Sequence, residues 1–341
     1  MGNKIFVSDC EGPISINDNA FELAGHFIED GEKFFTIVSN YDDILADVIK
    51  KPGYNAGGTL KLIIPFLKAY GATNKNIEQF SKDNVLLVPG AMDTLRYVNT
   101  IMPSFIVSTS YEHYIRALCD LIGFPFENTY STRLDIDKYP LNMDDKMKLM
   151  ELRKKIIEYP DTETLNEVFW KDLSNMAVGK AIEEVNPVGG EAKKEAIEDI
   201  MSKYGYLASD VMYVGDSITD VQPFQYVKDN GGLAVSFNGN KYAIREAEIA
   251  IIADNTRIIS IIAELFNQNG RNHVIKFIKS FGNDPKKTLQ KFSIKDDFKN
   301  QDNIFKKLNI EIIDDDNKKR LIEDSSLFRK QVRGDSIGGL G

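Results

Sequence analysis

The sequence predicts an α/β fold: a parallel sheet with helices on both faces, and a helical domain inserted after the first strand. Three features of the chain carry that prediction. Short apolar runs of strand length alternate with segments of helical periodicity, which is how a parallel sheet with helical crossovers reads. Two of the runs, Ile5-Phe6-Val7 and Val211-Met212-Tyr213-Val214, pass directly into clusters of carboxylates and glycine. Residues 14–82 break the alternation with apolar residues three and four apart, as in Phe21, Ala24, Phe27 and Ile28 and again in Leu60, Ile63, Ile64 and Leu67, the spacing of one helix face.

In chain order, the first strand stops at Ser8-Asp9-Cys10-Glu11-Gly12-Pro13, where Gly and Pro favour a turn. After the helical insert, Val85-Leu86-Leu87-Val88 reads as a strand, Ala91 opens a helix running to about Asn99, and Phe105-Ile106-Val107 leads into Ser108-Thr109-Ser110. A helix from Glu112 to Ile122 ends at Gly123, a natural C-terminal stop. Residues 136–176 read as a second insertion, a pair of exposed helices broken near Pro160. A helix over 191–204 then precedes the strand that ends in Gly215-Asp216-Ser217-Ile218-Thr219-Asp220, and two more apolar runs follow at 232–237 and 249–252. The expected organisation is a core of residues 1–13 and 83–266, carrying the insertion at 136–176, a helical cap of residues 14–82, and an extension over 267–341. The extension has helix-like pieces at 274–281 and 303–308, and its glycine-rich end, 334–341, is expected to be disordered.

At 341 residues the chain has room for two domains, and 43% hydrophobic with 27% charged residues is an ordinary globular composition. Forty-two basic against 51 acidic residues give a net charge of −9, the wrong sign for gripping a phosphate backbone, so nucleic acid is excluded as the main partner. The two cysteines, Cys10 and Cys119, cannot form a multi-bridge framework. No apolar run approaches the roughly 20 residues of a membrane span and no leader pattern opens the chain, so a cytoplasmic protein without membrane insertion is expected.

In a parallel α/β sheet, ligands bind outside the carboxyl ends of the strands. Asp9 and Glu11, Ser108, and Asp216 and Asp220 all fall at such ends. Alone, Asp-x-Glu before Gly-Pro is an ordinary turn and Gly-Asp-Ser-Ile-Thr-Asp an ordinary helix start. Together they gather carboxylates that repel one another unless a cation lies between them, and a hard, oxygen-seeking ion such as Mg²⁺ suits both carboxylates and phosphate oxygens. His26, His113 and His273 are too scattered for a metal site, and Gly57-Gly58-Thr59 lacks the Lys-Ser/Thr ending of a phosphate-cradling loop.

In this order the motifs resemble the haloacid dehalogenase superfamily of phosphohydrolases, in particular its phosphoserine-phosphatase-like branch with a helical cap after the first strand. The first motif, Asp-x-Asp-Gly, appears as Asp9-Cys10-Glu11-Gly12, with Glu in place of the second Asp. The second, a Ser or Thr after an apolar strand, appears as Ser108, and the fourth, Gly-Asp-x-x-x-Asp, as Gly215, Asp216 and Asp220. The third is a lysine ahead of the last of these strands, for which Lys193 has the family-like spacing and Lys194 is its neighbour. The resemblance implies a HAD-like Rossmannoid sheet and transfer of a phosphoryl group to Asp9 and then to water or an alcohol. In that scheme Glu11 is the acid and base, and Ser108, Thr109, Lys193 and Gly12 hold phosphoryl oxygens. Asp9, the Glu11 backbone carbonyl and Asp216 bind Mg²⁺, and Asp220 acts at one remove.

The cap, by the same resemblance, selects a small phosphorylated metabolite. Residues 14–82 contain no arginine, the natural bidentate partner of a carboxylate, which weighs against phosphoserine itself. A second reading rests on Asp-x-Glu-Gly-Pro and overall size. It is a HAD-like accessory subunit, similar to the archaeal branch known as subunit R of energy-converting hydrogenase A, with the C-terminal extension contacting a protein partner.

Overall fold

The computed structural model describes residues 4–282, 285–292 and 307–340. Its elements run β1 (Ile5–Ser8), α1 (Asn19–Phe27), α2 (Gly31–Asp43), α3 (Thr59–Ala69), α4 (Asn74–Asp83), α5 (Ala91–Ile101), β2 (Ser104–Tyr111), α6 (Glu112–Ile122) and β3 (Thr129–Thr132). They continue with α7 (Met143–Glu158), α8 (Thr162–Glu167), α9 (Lys180–Glu184), α10 (Glu191–Tyr204), β4 (Val211–Gly215), α11 (Val221–Asp229), β5 (Leu233–Phe237), α12 (Lys241–Glu246) and β6 (Ile249–Ile252). The last described elements are α13 (Arg257–Asn269), α14 (Arg271–Phe281), α15 (Pro285–Lys291), β7 (Asn309–Ile312), α16 (Lys318–Arg333) and α17 (Asp335–Gly338).

The strands form one sheet in the order β3-β2-β1-β4-β5-β6-β7, parallel except for β7, which adds antiparallel to β6. The order reverses direction between β1 and β4, and the crevice at such a point is where this class of sheet binds ligands. Val7 lies opposite Phe105 on β2 and Tyr213 on β4, so β1 is paired on both edges and covered on both faces. That accounts for its unbroken apolar sequence: Phe6 packs among α5, α6 and α13, and Ile5 and Val7 pack against α10 and α11 on the other side.

The run 85–88 is not a strand of this sheet. It returns from the cap beside the segment that leaves β1, with Val88 N bonded to Ile14 O at 2.9 Å and Ile16 N to Leu86 O at 2.9 Å, so it lies along the cap hinge with Val88 buried and Leu86 exposed. Nor are the helices of 136–176 an exposed pair. Leu149, Leu152 and Ile156 of α7 and Leu165 of α8 are buried with α1, α2 and α3 in one hydrophobic cluster, so both insertions build a single helical body. The dense Lys, Asp and Glu of α7 mark its wet face and mask that buried stripe in the sequence. Arg153 on α7 is buried there and reaches the Glu29 carbonyl at 2.8 Å and the Asp30 carboxylate at 3.0 Å.

The end of the chain, expected to be disordered, is folded as far as it is described. Leu321 of α16 packs on Ile244, Ala250 and Ile252 of the core, and Ile337 and Leu340 join the cluster of the cap. Two apolar side chains that find a groove outweigh the glycine-rich composition. The helix-like piece at 303–308 lies almost wholly outside the described residues. Among the described residues, no helix is long and apolar enough to cross a membrane.

Candidate active site

Asp9 follows the last residue of β1, and its amide donates to the Val214 carbonyl of β4 at 2.8 Å, which continues the strand pairing into the crevice. One carboxylate oxygen accepts from Cys10 N at 2.7 Å and the other from Lys193 Nζ at 2.6 Å. Lys193 sits in the first turn of α10, fully buried, and its second bond goes to Asp220 at 2.7 Å. The two adjacent lysines are thereby distinguished, because Lys194 turns outward to Glu191 at 2.6 Å. Asp220 also accepts from the Tyr213 hydroxyl at 2.6 Å and from the amides of Asp216 at 2.8 Å and Ser217 at 3.0 Å. Burial works to raise the pKa of Asp220, but Lys193 and these donors hold it below the ordinary carboxylate range. Asp9 is different: burial pushes it up to about 7 against the pull of Lys193, with Asp220 and Asp216 adding repulsion.

Glu11 Oε1 accepts from the amide of Asn19, the first residue of cap helix α1, at 2.8 Å. Burial and the adjacent Asp18 carboxylate hold the Glu11 carboxyl well above its usual range, so it favours the protonated form that an acid catalyst needs. Gly12 adopts φ +101°, and a Cβ built there would stand 2.1 Å from Asp216 Oδ2. Its amide donates to Ser15 O at 2.8 Å, so the glycine serves the close approach of Asp216 and its N–H is already engaged.

Of the predicted phosphate ligands, Ser108 is buried within β2 and bonded to Ser110, its Oγ donating to Ser110 Oγ at 3.2 Å, and Ser110 in turn lies beside the Glu11 carboxyl. Thr109 lines the central cavity, with its hydroxyl donating to Val188 O at 3.0 Å. Two site residues were missed in the sequence. Arg329 and Arg333 of α16 are both buried with Nη1 on Asp216 Oδ2, Arg333 at 3.1 Å, and Arg333 also donates to the carbonyls of Ile16 and Asn17 in the cap hinge. The two arginines share one buried helix face with Leu321 and Ser325, and a face with a single apolar residue gives no hydrophobic pattern by which the sequence could show it.

The cavity between cap and core measures about 80 Å³ and is lined by Asp9, Glu11 and Asp216 of the core, by Asp18, Phe35, Asp43, Thr59 and Leu60 of the cap, and by Arg329 and Arg333 of the C-terminal extension. One oxygen from each of Asp9, Asp216 and Asp220 falls within 4.8 Å of the others. Around them, seven carboxyls (Asp9, Glu11, Asp18, Asp42, Asp43, Asp216 and Asp220) stand with three cations (Lys193, Arg329 and Arg333). Burial raises the pKa values of Asp9, Glu11 and Asp18, and the all-oxygen donor set of Asp9, Asp216 and Asp220 suits a hard cation, which would offset their mutual repulsion. Asp43, on the cap wall, is pushed up to about 7 by burial and by neighbouring Asp42. A carboxyl whose pKa is raised on folding stabilises the protein below its unfolded value and loses that contribution as pH rises through the folded value. Asp43→Asn is therefore expected to gain stability over the wild type at pH 8 and to gain none at pH 3, in urea melts at the two pH values.

No family model and no curated protein matches the chain. Among solved structures, gene product AF1437 from Archaeoglobus fulgidus is similar over 100% of this chain and 99% of its own, at 27% identity and a TM-score of 0.86. A phosphoserine phosphatase in apo form is similar over 75% of this chain and 96% of its own, at 14% identity and a TM-score of 0.44. A substrate-bound phosphoserine phosphatase complex is similar over the same shares at 16% identity and a TM-score of 0.47. The seven-stranded, mostly parallel sheet, its strand order and the helical body inserted after β1 make this the HAD-like α/β Rossmannoid fold that the sequence predicts.

Proposed function

We propose that the protein is a Mg²⁺-dependent phosphohydrolase or phosphotransferase of the haloacid dehalogenase type, acting on a small phosphomonoester through an aspartyl-phosphate at Asp9. The observation that carries the reading is the buried Asp9–Lys193–Asp220 ion-pair chain, which leaves a carboxylate at the mouth of the β1/β4 crevice with an ammonium group against it. In the first step an Asp9 oxygen attacks phosphorus while the bond from phosphorus to the ester oxygen breaks, and protonated Glu11 delivers its proton to that leaving oxygen. In the second, Glu11 takes a proton from water or an acceptor alcohol, whose oxygen attacks phosphorus and frees Asp9. Lys193 offsets the charge that gathers as one anion approaches another. A Mg²⁺ ion held by Asp9, Asp216 and the Glu11 carbonyl would supply further positive charge to the transferring group.

The cavity is small beside the roughly 300–1,000 Å³ of typical ligand pockets, which supports a compact metabolite as substrate. The test is phosphate release from a panel of small phosphomonoesters, with and without Mg²⁺, beside Asp9→Asn. Metal-dependent release that falls at least about 10³-fold in the variant is the expected result. Release that persists at the wild-type rate in Asp9→Asn would refute the aspartyl-phosphate route.

A further inference from the structure

Arg329 is 3% exposed and lines the cavity, yet it spends only one of its three nitrogens: Nη1 contacts the carboxylate and carbonyl of Asp216. Its Nε is buried without a hydrogen-bond partner among the described residues, while Nη2, which makes no hydrogen bond there, keeps accessible surface. Nε and Nη2 are the two parallel donors of the guanidinium side edge, the pair that grips a carboxylate or phosphoryl group with two bonds. A buried N–H of a cationic group left unpaired is costly unless an acceptor meets it, and for this edge the natural acceptor is an oxyanion. Arg333 differs, since all three of its nitrogens are already engaged with Asp216, Ile16 and Asn17.

The helix that carries Arg329 is held at both ends. Ser325 Oγ donates to Gly239 O at 2.6 Å and Leu321 packs on the core, while Leu340, beyond the helix, packs in the cap. The guanidinium is thus presented on a fixed element, which is what a specific anion contact needs. The cap segment 14–82 has no arginine of its own.

We infer that the Nε/Nη2 edge of Arg329, brought to the site by the C-terminal helix, binds an oxyanion of the substrate and is a specificity-determining contact. The inference rests on the proposed phosphoryl-transfer reading for its ligand class, and the oxyanion is either the phosphoryl group itself or a carboxylate elsewhere on the same small molecule.

Calorimetric titration of the full-length protein with inorganic phosphate, and separately with malonate, in EDTA and again with Mg²⁺, tests it. The variants are Arg329→Gln, Arg329→Lys, Lys193→Gln and the double variant Arg329→Gln/Asp216→Asn. The expected result is that one of the two anions binds the wild type and binds Arg329→Gln at least about tenfold more weakly, with Arg329→Lys recovering only part because a point charge lacks the fork. Phosphate as that anion identifies the phosphoryl group, and malonate identifies a carboxylate. The double variant separates gripping from mere neutralisation: continued weak binding supports the edge contact, whereas recovery to wild-type affinity overturns it. Phosphate binding that Lys193→Gln weakens and Arg329→Gln leaves within twofold overturns the inference and spares the proposed function. No binding of either anion to folded wild-type protein under either condition overturns both.

Discussion

Lys193→Met is expected to cost about 3–5 kcal/mol of stability, the usual penalty for removing one partner of a buried ion pair, and to lower phosphoryl transfer by about 10²–10³-fold or more. Methionine fills nearly the same volume, so packing accounts for little of the loss. What remains are Asp9 and Asp220, buried and 2.6 and 2.7 Å from a group that no longer carries charge. Asp220 keeps the Tyr213 hydroxyl and two backbone amides, whereas Asp9 keeps only the Cys10 amide among its described donors. Asp9 is already near 7 with the lysine present, so without it the carboxyl holds its proton at neutral pH and is no longer a nucleophile. Adding Asp220→Asn should recover part of the stability and none of the activity, since it relieves the repulsion without restoring the countercharge. Urea denaturation and phosphate release on the same three proteins read both effects. A Lys193→Met protein as stable as the wild type would contradict the account of the buried pair.

The parts of this site that a sequence displays are those within a few residues of a strand end. Asp9, Glu11 and Gly12 follow β1, and Asp216 and Asp220 follow β4, so local pattern and parallel pairing bring them together. Lys193 against Lys194 was a question of helix phase, and the fold answers it because only the first faces the sheet. The arginines are another matter. They lie 113 and 117 residues beyond Asp216, and their placement depends on β7 joining the sheet edge antiparallel and on α16 crossing back over α12. No local signal encodes that route. The run 85–88 misled for the opposite reason, since strand propensity reports a half-buried extended segment and a cap hinge satisfies it as well as a sheet does. The terminal glycines suggested disorder because composition says nothing of a groove waiting for Leu340.

Gly12→Ala tests the tightest contact in the crevice. The residue sits at φ +101°, where an L side chain costs about 1–3 kcal/mol, and its Cβ would fall 2.1 Å from Asp216 Oδ2 and 2.3 Å from Cγ. Strain in the turn and displacement of Asp216 are separable. Gly71 has φ +89° with nothing within 4 Å of its Cβ position, so Gly71→Ala carries the backbone cost alone. Gly71→Ala is expected to lower stability by about 1–2 kcal/mol and leave turnover unchanged. Gly12→Ala should lose more stability than that and at least about 10²-fold in turnover. The added methyl pushes Asp216 away from Asp9, from the two buried arginines and from the position in which it would share a cation. Equal stability losses in the two variants, with turnover intact in both, would mean that Asp216 can retreat without consequence, and its position beside Asp9 would then have no part in the chemistry.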